Sequence, residues 1–454
     1  MVTSWSLGVS ENKFRQIASA IESRIDSGQY PPNSRLPTHR DLAEELETTP
    51  ATVAKAYKLL VEKNYVESFV GRGTFVKGNT ELDQVIQAPD LETVYNFSIL
   101  QPCLAQSLPW LQAAFTQASN KLSTDLIGYT EFSGHQAHRA AGVQWAARYG
   151  LEKGTPENTL LVDGAQNALS LLIIALTKPG DTIAVERLTY PGILAIASLL
   201  GRRVVGVDMD DEGMLPEHLK AVIRHDKPKL VVTIPSHQNP TGVTMPEARR
   251  KQIADVITAS DVWLVEDDVY AFLNSETIPA ICNWIPEQSF HITSLSKAIS
   301  PALRCGFIKV PDSQVAAMNA HIRANIWLSS PINYIAAAEM ITNGSAFHVA
   351  GLQQQIARQR QQIAQSVLSV PYTTSHGYHI WLPLPDGWRA ERFVMEAKSR
   401  DLIVSSGSYF CPDSKESDHI RLSLMSVSSD QKLEEGLSKL DQLLQSEINT
   451  LFHF

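Results

Sequence analysis

The chain has 454 residues, 44% of them hydrophobic and 19% charged, which excludes a disordered or fibrous polymer and gives length for two or three domains. Its net charge of −9 excludes a protein that is basic throughout, although residues 13–77 carry ten Lys or Arg against eight Asp or Glu. The opening M-V-T-S-W-S-L lacks a signal-peptide pattern and no run is apolar enough to cross a membrane. A cytoplasmic protein with no membrane partner is therefore expected.

The first element is a helix over K-F-R-Q-I-A-S-A-I-E-S-R-I, where Phe14, Ile17, Ile21 and Ile25 recur at three- and four-residue spacing. After the loop S-G-Q-Y-P-P-N-S-R, Thr38 suits the N-cap of a short helix with Leu42 and Leu46 inward. Thr49 suits the cap of a third helix, with Pro50 in its first turn and Val53, Tyr57 and Leu60 as its inner stripe. Y-V-E-S-F-V-G-R-G-T-F-V then alternates, turns at Gly71-Arg72-Gly73 and alternates again, which predicts a small hairpin. Three helices and a hairpin make a winged helix-turn-helix, in which a braced helix enters the major groove. The glycines of the hairpin tip allow a close approach to DNA, and Arg72 supplies positive charge there.

L-P-T-H-R-D-L-A, T-P-A-T-V-A-K-A-Y and G-R-G-T-F-V together resemble the DNA-binding domain of GntR-family regulators, over residues 11–77. The resemblance implies a phosphate contact at Arg40 and base recognition from the start of the third helix. Pro50 and Ala54 stand where that family often has arginine. Base reading by a forked arginine is therefore not expected there, and Thr49, Thr52, Lys55, Arg72 and Gly73 are the remaining candidates.

Residues 78–95 are polar and acidic and read as a linker. Beyond them, N-T-L-L-V-D, D-T-I-A-V-E, R-R-V-V-G-V-D, K-L-V-V-T-I-P, V-W-L-V-E-D-D, S-F-H-I-T-S-L and C-G-F-I-K-V are short apolar strands, several separated by helical segments. The pattern predicts an α/β domain with a mostly parallel sheet over residues 96–330. A long helix near 351–370, strands at H-G-Y-H-I-W-L-P and H-I-R-L-S-L, and a helix between them predict a smaller α+β domain over 331–454. Cys103, Cys282, Cys305 and Cys411 are too dispersed for a zinc or redox site, and no metal is expected.

The chemistry-bearing groups follow the strands, where open sheets bind ligands. Gly164, Ala165 and Gln166 open a helix whose backbone N–H groups can hold an anion. Tyr190, in T-Y-P-G, can lie against an aromatic ring, and Asn239, in H-Q-N-P-T-G, is a rigidly held donor. E-D-D-V-Y sets Asp267 three residues before Tyr270, and S-L-S-K-A-I-S-P-A-L-R supplies Ser294, Ser296, Lys297 and Arg304. Pyridoxal 5'-phosphate requires such a set. Lys297 supplies an amine for its aldehyde, and Asp267 keeps its ring nitrogen protonated. Asn239 and Tyr270 bond its phenolate oxygen, while Ser294, Ser296 and Arg304 join the helix N-terminus at its phosphate.

This half resembles the fold-type I pyridoxal-phosphate enzymes of the aspartate aminotransferase class I/II group, over residues 96–450. The resemblance implies that Tyr129 reaches the neighbouring subunit's phosphate and that Arg421 binds a substrate or effector carboxylate. His138 stands before Arg139 where that group commonly has leucine, a departure expected to affect packing alone. Together the halves resemble the MocR-type subfamily of GntR regulators. That implies a homodimer, in a head-to-tail or compact arrangement, that binds a double-stranded DNA operator and senses an amino acid, an amine or the cofactor itself. A working aminotransferase with an inherited N-terminal module, and an N-terminal module used for dimerisation, are the alternatives.

Overall fold

The computed structural model describes residues 13–26, 29–30, 34–63, 65–69, 73–76, 93–129, 134–413 and 417–446. The chain divides into two compact units, residues 1–83 and 84–454.

In the first unit, α1 (Lys13–Asp26), α2 (His39–Glu45) and α3 (Pro50–Glu62) precede the antiparallel strands β1 (Val66–Phe69) and β2 (Gly73–Val76). Both expected caps form. The Thr38 hydroxyl accepts from the Asp41 N–H at 3.3 Å, and the Thr49 hydroxyl from the Thr52 N–H at 3.2 Å. Ile17, Ile21, Leu42, Leu46, Val53, Tyr57 and Leu60 close one small core. The phenol buried there is satisfied, since Tyr57 donates to the Pro37 carbonyl at 2.8 Å. The hairpin has a further edge that periodicity did not reveal: Leu36 N–H donates to Thr74 O, and Val76 N–H to Ser34 O, both at 2.8 Å. The segment R-L-P is too short to show strand alternation. Arg72 lies outside the described residues.

The second unit is built on a seven-stranded sheet. Its strands are β4 (Thr159–Val162), β5 (Thr182–Glu186), β6 (Arg203–Val207), β7 (Leu230–Thr233), β8 (Trp263–Asp267), β9 (Ser289–Ser294) and β10 (Gly306–Lys309). Each of the seven apolar runs is one of these strands, and the spatial order is β4-β10-β9-β8-β7-β5-β6. All neighbours are parallel except β10, which runs antiparallel to both β9 and β4. Most of these strands are buried along their whole length because helices cover both faces.

The expected break between residues 330 and 331 does not coincide with a break in the core. Helix α9 (Pro331–Thr342) and the first half of α10 (Ser345–Val367) place Tyr334, Ile335, Met340, Val349 and Ala357 in the same hydrophobic cluster as the large sheet. The later half of α10 turns to a second cluster with Ala364. That cluster covers the antiparallel sheet of β11 (His379–Pro383), β12 (Ser405–Ser406) and β13 (His419–Ser423). It is closed by α11 (Ala390–Ser399) and α12 (Asp430–Leu444), whose Leu433, Leu437, Leu440 and Leu444 recur at helical spacing. The expected linker also ends early. Residues 78–92 lie outside the described residues, but Tyr95–Asn96 already pair in parallel with Leu402–Ile403. No helix among the described residues is long and apolar enough to cross a membrane.

Candidate cofactor site and DNA-binding face

The carboxyl ends of the parallel strands converge on a cavity of about 190 Å³. Its lining includes Lys297, Asp267, Asn239, Tyr190, Tyr270 and Arg421, although these residues span more than half of the chain. Ala165, Gln166, Ser294, Ser296 and Arg304 line it as well.

Lys297 follows β9, and its Nζ donates to the Leu100 carbonyl at 2.7 Å. Burial, with Arg421 adding to it and Asp267 opposing, pushes this amine down to about 8. Asp267 ends β8 and is 4% exposed, yet its Oδ1 has no hydrogen-bond partner in the protein. Burial, then the neighbouring Asp268 carboxylate, pushes its carboxyl up to about 7. Burial also raises both phenols, Tyr190 up to about 12 and Tyr270 further still.

Asn239 stands in the loop after β7, and its side-chain oxygen accepts from Arg421 Nη1 at 3.0 Å. What Asn239 can offer a ligand is therefore its N–H2 group. Arg421, on β13 and 1% exposed, also donates to the Ser98 carbonyl and to Ser405 Oγ. Its guanidinium lies 5.0 Å from the centre of the Phe410 ring, and burial brings it down to about 10.

At the other end of the cavity, Gly164 (φ 81°) turns the chain from β4 into α6 (Ala165–Leu176). Arg304, itself left-handed at φ 51°, donates to the Asp163 carbonyl at 2.6 Å and so lies beside that helix start. A methyl group at Gly306 would sit 2.9 Å from the Gly164 Cα, so only glycine allows this approach of β10 to the turn. Ser294 Oγ lies 3.0 Å from Ser296 Oγ and 3.1 Å from the Cys305 carbonyl, with one hydroxyl hydrogen to share between them, and it accepts from the Ser296 N–H. Gln166 donates to the Gly192 carbonyl at 3.4 Å.

Tyr129 does not join the cavity of its own chain. It is 81% exposed and packs against Trp327, with ring centres 5.3 Å apart. Ser98, Ile99 and Leu100 form a wall that the sequence reading missed. Nothing in F-S-I-L-Q-P marks a site, and Leu100 is 197 positions from the lysine it accepts from. His138 stacks beside Tyr334 at 6.2 Å and is brought down to about 4 by burial, so it packs as a neutral ring.

In the N-terminal unit, Arg40, Thr49 and Lys55 are exposed and Thr52 is half-buried. The hydroxyls of Thr49 and Thr52 lie 2.9 Å apart, and Thr49 also caps α3, so both are partly engaged within the protein. Gly73 has φ 109°, and a methyl group there would lie 2.7 Å from Arg35 Nε. Arg35 therefore lies against the base of the hairpin, a cation that the sequence reading did not single out.

Residues 92–440 match the aminotransferase class I and II family, and the chain belongs to it. Residues 13–76 match the bacterial regulatory proteins of the gntR family, so the protein combines both parts in the MocR-type arrangement. HTH-type transcriptional regulator YdeF of Bacillus subtilis is 27% identical over 95% of this chain and 94% of its own. The HTH-type pyridoxine biosynthesis transcriptional regulator PdxR of Corynebacterium glutamicum is 27% identical over 86% of this chain and 85% of its own. Among solved structures, LysN, an α-aminoadipate aminotransferase of Thermus thermophilus complexed with N-(5'-phosphopyridoxyl)-L-leucine, superposes with a TM-score of 0.72. It is 22% identical and covers 81% of this chain and 97% of its own, a likeness of fold.

The cofactor of this protein is pyridoxal 5'-phosphate, and the cavity fits it. The orphaned Oδ1 of Asp267, buried and held near neutrality, lacks what a protonated pyridine nitrogen would supply.

Proposed function

We propose that the protein is a transcriptional regulator whose N-terminal unit binds operator DNA and whose larger unit binds pyridoxal 5'-phosphate and senses an amino acid. The observation that carries this reading is one buried cavity holding Lys297, the orphaned Asp267 carboxyl and Arg421, in a chain that begins with a winged helix-turn-helix. When bound, the cofactor supplies an electrophilic aldehyde and an electron-withdrawing ring.

In this reading Lys297, whose amine is brought down to about 8 and donates to the Leu100 carbonyl, is the residue that would hold the cofactor's aldehyde, and it gives up its proton more readily than an ordinary lysine. Asp267 Oδ1 would partner the ring nitrogen. Asn239, through its N–H2, and Tyr270, through its O–H, would hold the ring oxygen. Gly164, Ala165 and Gln166 present the helix N-terminus to the phosphate, with Ser294, Ser296 and Arg304 beside it, and Tyr190 lines the ring. Arg421 is a buried fork suited to a carboxylate, which favours an amino acid over a simple amine as the effector. PdxR, whose name refers to pyridoxine biosynthesis, supports the cofactor itself as a second signal.

Leu104, Leu108, Leu122, Ile127, Tyr129 and Trp327 are exposed large apolar side chains, which favours a homodimer in which Tyr129 reaches the partner's cavity. Arg40, Thr49, Thr52, Lys55, Arg72 and Gly73 form the DNA-contacting set. An effector acts by binding one arrangement of the dimer more tightly than another. The joint presence of Asn239 and Arg421 also favours a residual transaminase activity, measurable with an amino acid and a 2-oxo acid.

The test is a visible-absorbance titration of the wild type and Lys297→Ala with pyridoxal 5'-phosphate, followed by footprinting upstream of the gene with and without amino acids. The wild type should colour, Lys297→Ala should stay colourless with an unchanged circular dichroism spectrum, and the footprint should respond to amino acids. A colourless wild type, or a variant spectrum equal to the wild type's, refutes the cofactor assignment.

A further inference from the structure

Behind the cavity lies a guanidinium with no part in the roles above. Arg250, on α8 (Glu247–Thr258), is fully buried and divides its donors between two parts of the fold. Its Nε donates to the Met245 carbonyl at 3.0 Å, and its Nη2 to Ser236 Oγ at 2.8 Å and to the Pro235 carbonyl at 3.4 Å. Pro235 and Met245 are the two sides of the neck of the loop that carries Asn239, joined by Met245 N–H to Pro235 O at 2.7 Å. Nη1 faces Asp268 Oδ2 at 3.4 Å and Glu266 Oε1 at 3.7 Å, and donates to the Pro279 carbonyl at 3.4 Å. Side chains alternate along an extended strand, so Glu266 and Asp268 point away from the face that presents Asp267.

We infer that Arg250 is a positioning residue for the cofactor site: it sets the spacing between the Asn239 loop and the Asp267 strand end, and it neutralises the two carboxylates behind Asp267. The inference rests on reading the cavity as the cofactor site. One planar cation can do both because its five donors form a rigid fork. Without it, two buried carboxylates would lose their cation, and their charge would act on Asp267 from the adjoining positions. The effect reaches further through Asn239, which holds Arg421. Lysine at position 250 has one ammonium in place of the fork, so it can keep neither the loop-neck bonds nor the approach to both Asp268 and Glu266 that screens their charge.

The experiment compares wild type, Arg250→Lys and Ser236→Ala as full-length protein. Hydrogen exchange at Gln238, Gly242 and Met245, whose N–H groups close the loop, is read without cofactor. Affinity for pyridoxal 5'-phosphate and the pH midpoint of the bound absorbance are then read with it. Arg250→Lys should exchange faster at these amides, weaken cofactor binding roughly tenfold to a hundredfold, the scale seen when outer-layer partners of metal sites are lost, and displace the midpoint. Ser236→Ala should loosen the loop neck and leave the midpoint in place. A folded Arg250→Lys with wild-type exchange and midpoint overturns the inference. If Arg250→Lys does not fold, wild-type exchange in Ser236→Ala overturns it instead. A wild type that binds no cofactor fails the cofactor reading itself, whereas a wild type that binds beside an unchanged Arg250→Lys fails this inference alone.

Discussion

Replacing Asp267 with asparagine tests the electrostatics of the site without relying on turnover. The substitution keeps the shape of the side chain and removes its charge. In the empty cavity the wild-type carboxyl is raised from 3.8 to about 7, because burial and then Asp268 disfavour its ionised form. A group raised on folding binds its proton more tightly in the folded state. Its contribution to stability is therefore complete below 3.8 and is lost as pH rises through about 7. Between pH 5.5 and 8.5 that loss is about 2 kcal/mol, at about 1.36 kcal/mol per pH unit below the folded value. Asparagine carries no such dependence; Glu186 and Glu266, raised to about 7 by burial first, titrate in both proteins, so the comparison isolates Asp267 together with its coupling to Lys297 and Glu186. The cofactor-free variant should gain on the wild type by this amount as pH rises, roughly a few degrees in Tm for a chain of this size. Pyridoxal 5'-phosphate should reverse the order at pH 8.5, since only the aspartate can pair with the ring nitrogen. Differential scanning calorimetry of both proteins at both pH values, with and without cofactor, reads all four comparisons. A gap in Tm between Asp267→Asn and the wild type that stays the same at both pH values would refute the assignment of a buried, ionisable partner for the ring.

Arg421→Ala removes the donors to Asn239 and Ser98 and should weaken capture of amino acids more than capture of the cofactor; spectral titrations equal to wild type for both ligands would count against a carboxylate role. Gly306→Ala forces a methyl group against the Gly164 backbone, so it should displace the turn at the head of α6 and lower cofactor affinity. Unchanged affinity in a folded variant would mean that the turn tolerates displacement. Lys55→Ala should weaken DNA binding and reduce the salt slope by about 1, if the exposed ammonium meets a phosphate; a shift assay over a salt series that gives the wild-type slope removes Lys55 from the interface.

The sheet was legible because most of its strands are short runs of apolar residues buried on both faces, such as L-V-V-T and T-I-A-V-E, and five of the seven carry a site residue at their end or within the next few positions. The winged helix was legible for a similar local reason: Thr38 and Thr49 cap through side chains three residues from the N–H groups they bond. Lys297, Asp267, Asn239 and Arg304 could be named as a set because one ligand needs those four chemistries together. The boundary between the large and small layers was not legible, because α9 and the first half of α10 carry apolar residues suited equally to either core.

What the amino-acid order determined is therefore local: periodic burial, helix caps, and the residue types that stand at strand ends. Only tertiary structure decided which of these groups meet. The packing of the small antiparallel sheet and of the segment before the first helix against the large sheet brings Asn239 to Arg421 across 182 positions and Leu100 to Lys297 across 197, and the fold sets Arg250 between two segments that share no recognisable pattern. Tyr129, which stays on the surface of its own chain, marks the limit of that logic. The physical reason is that a hydrogen bond or a buried charge is satisfied in space, by whichever chain segment packing delivers, whereas a sequence displays only neighbours along the backbone.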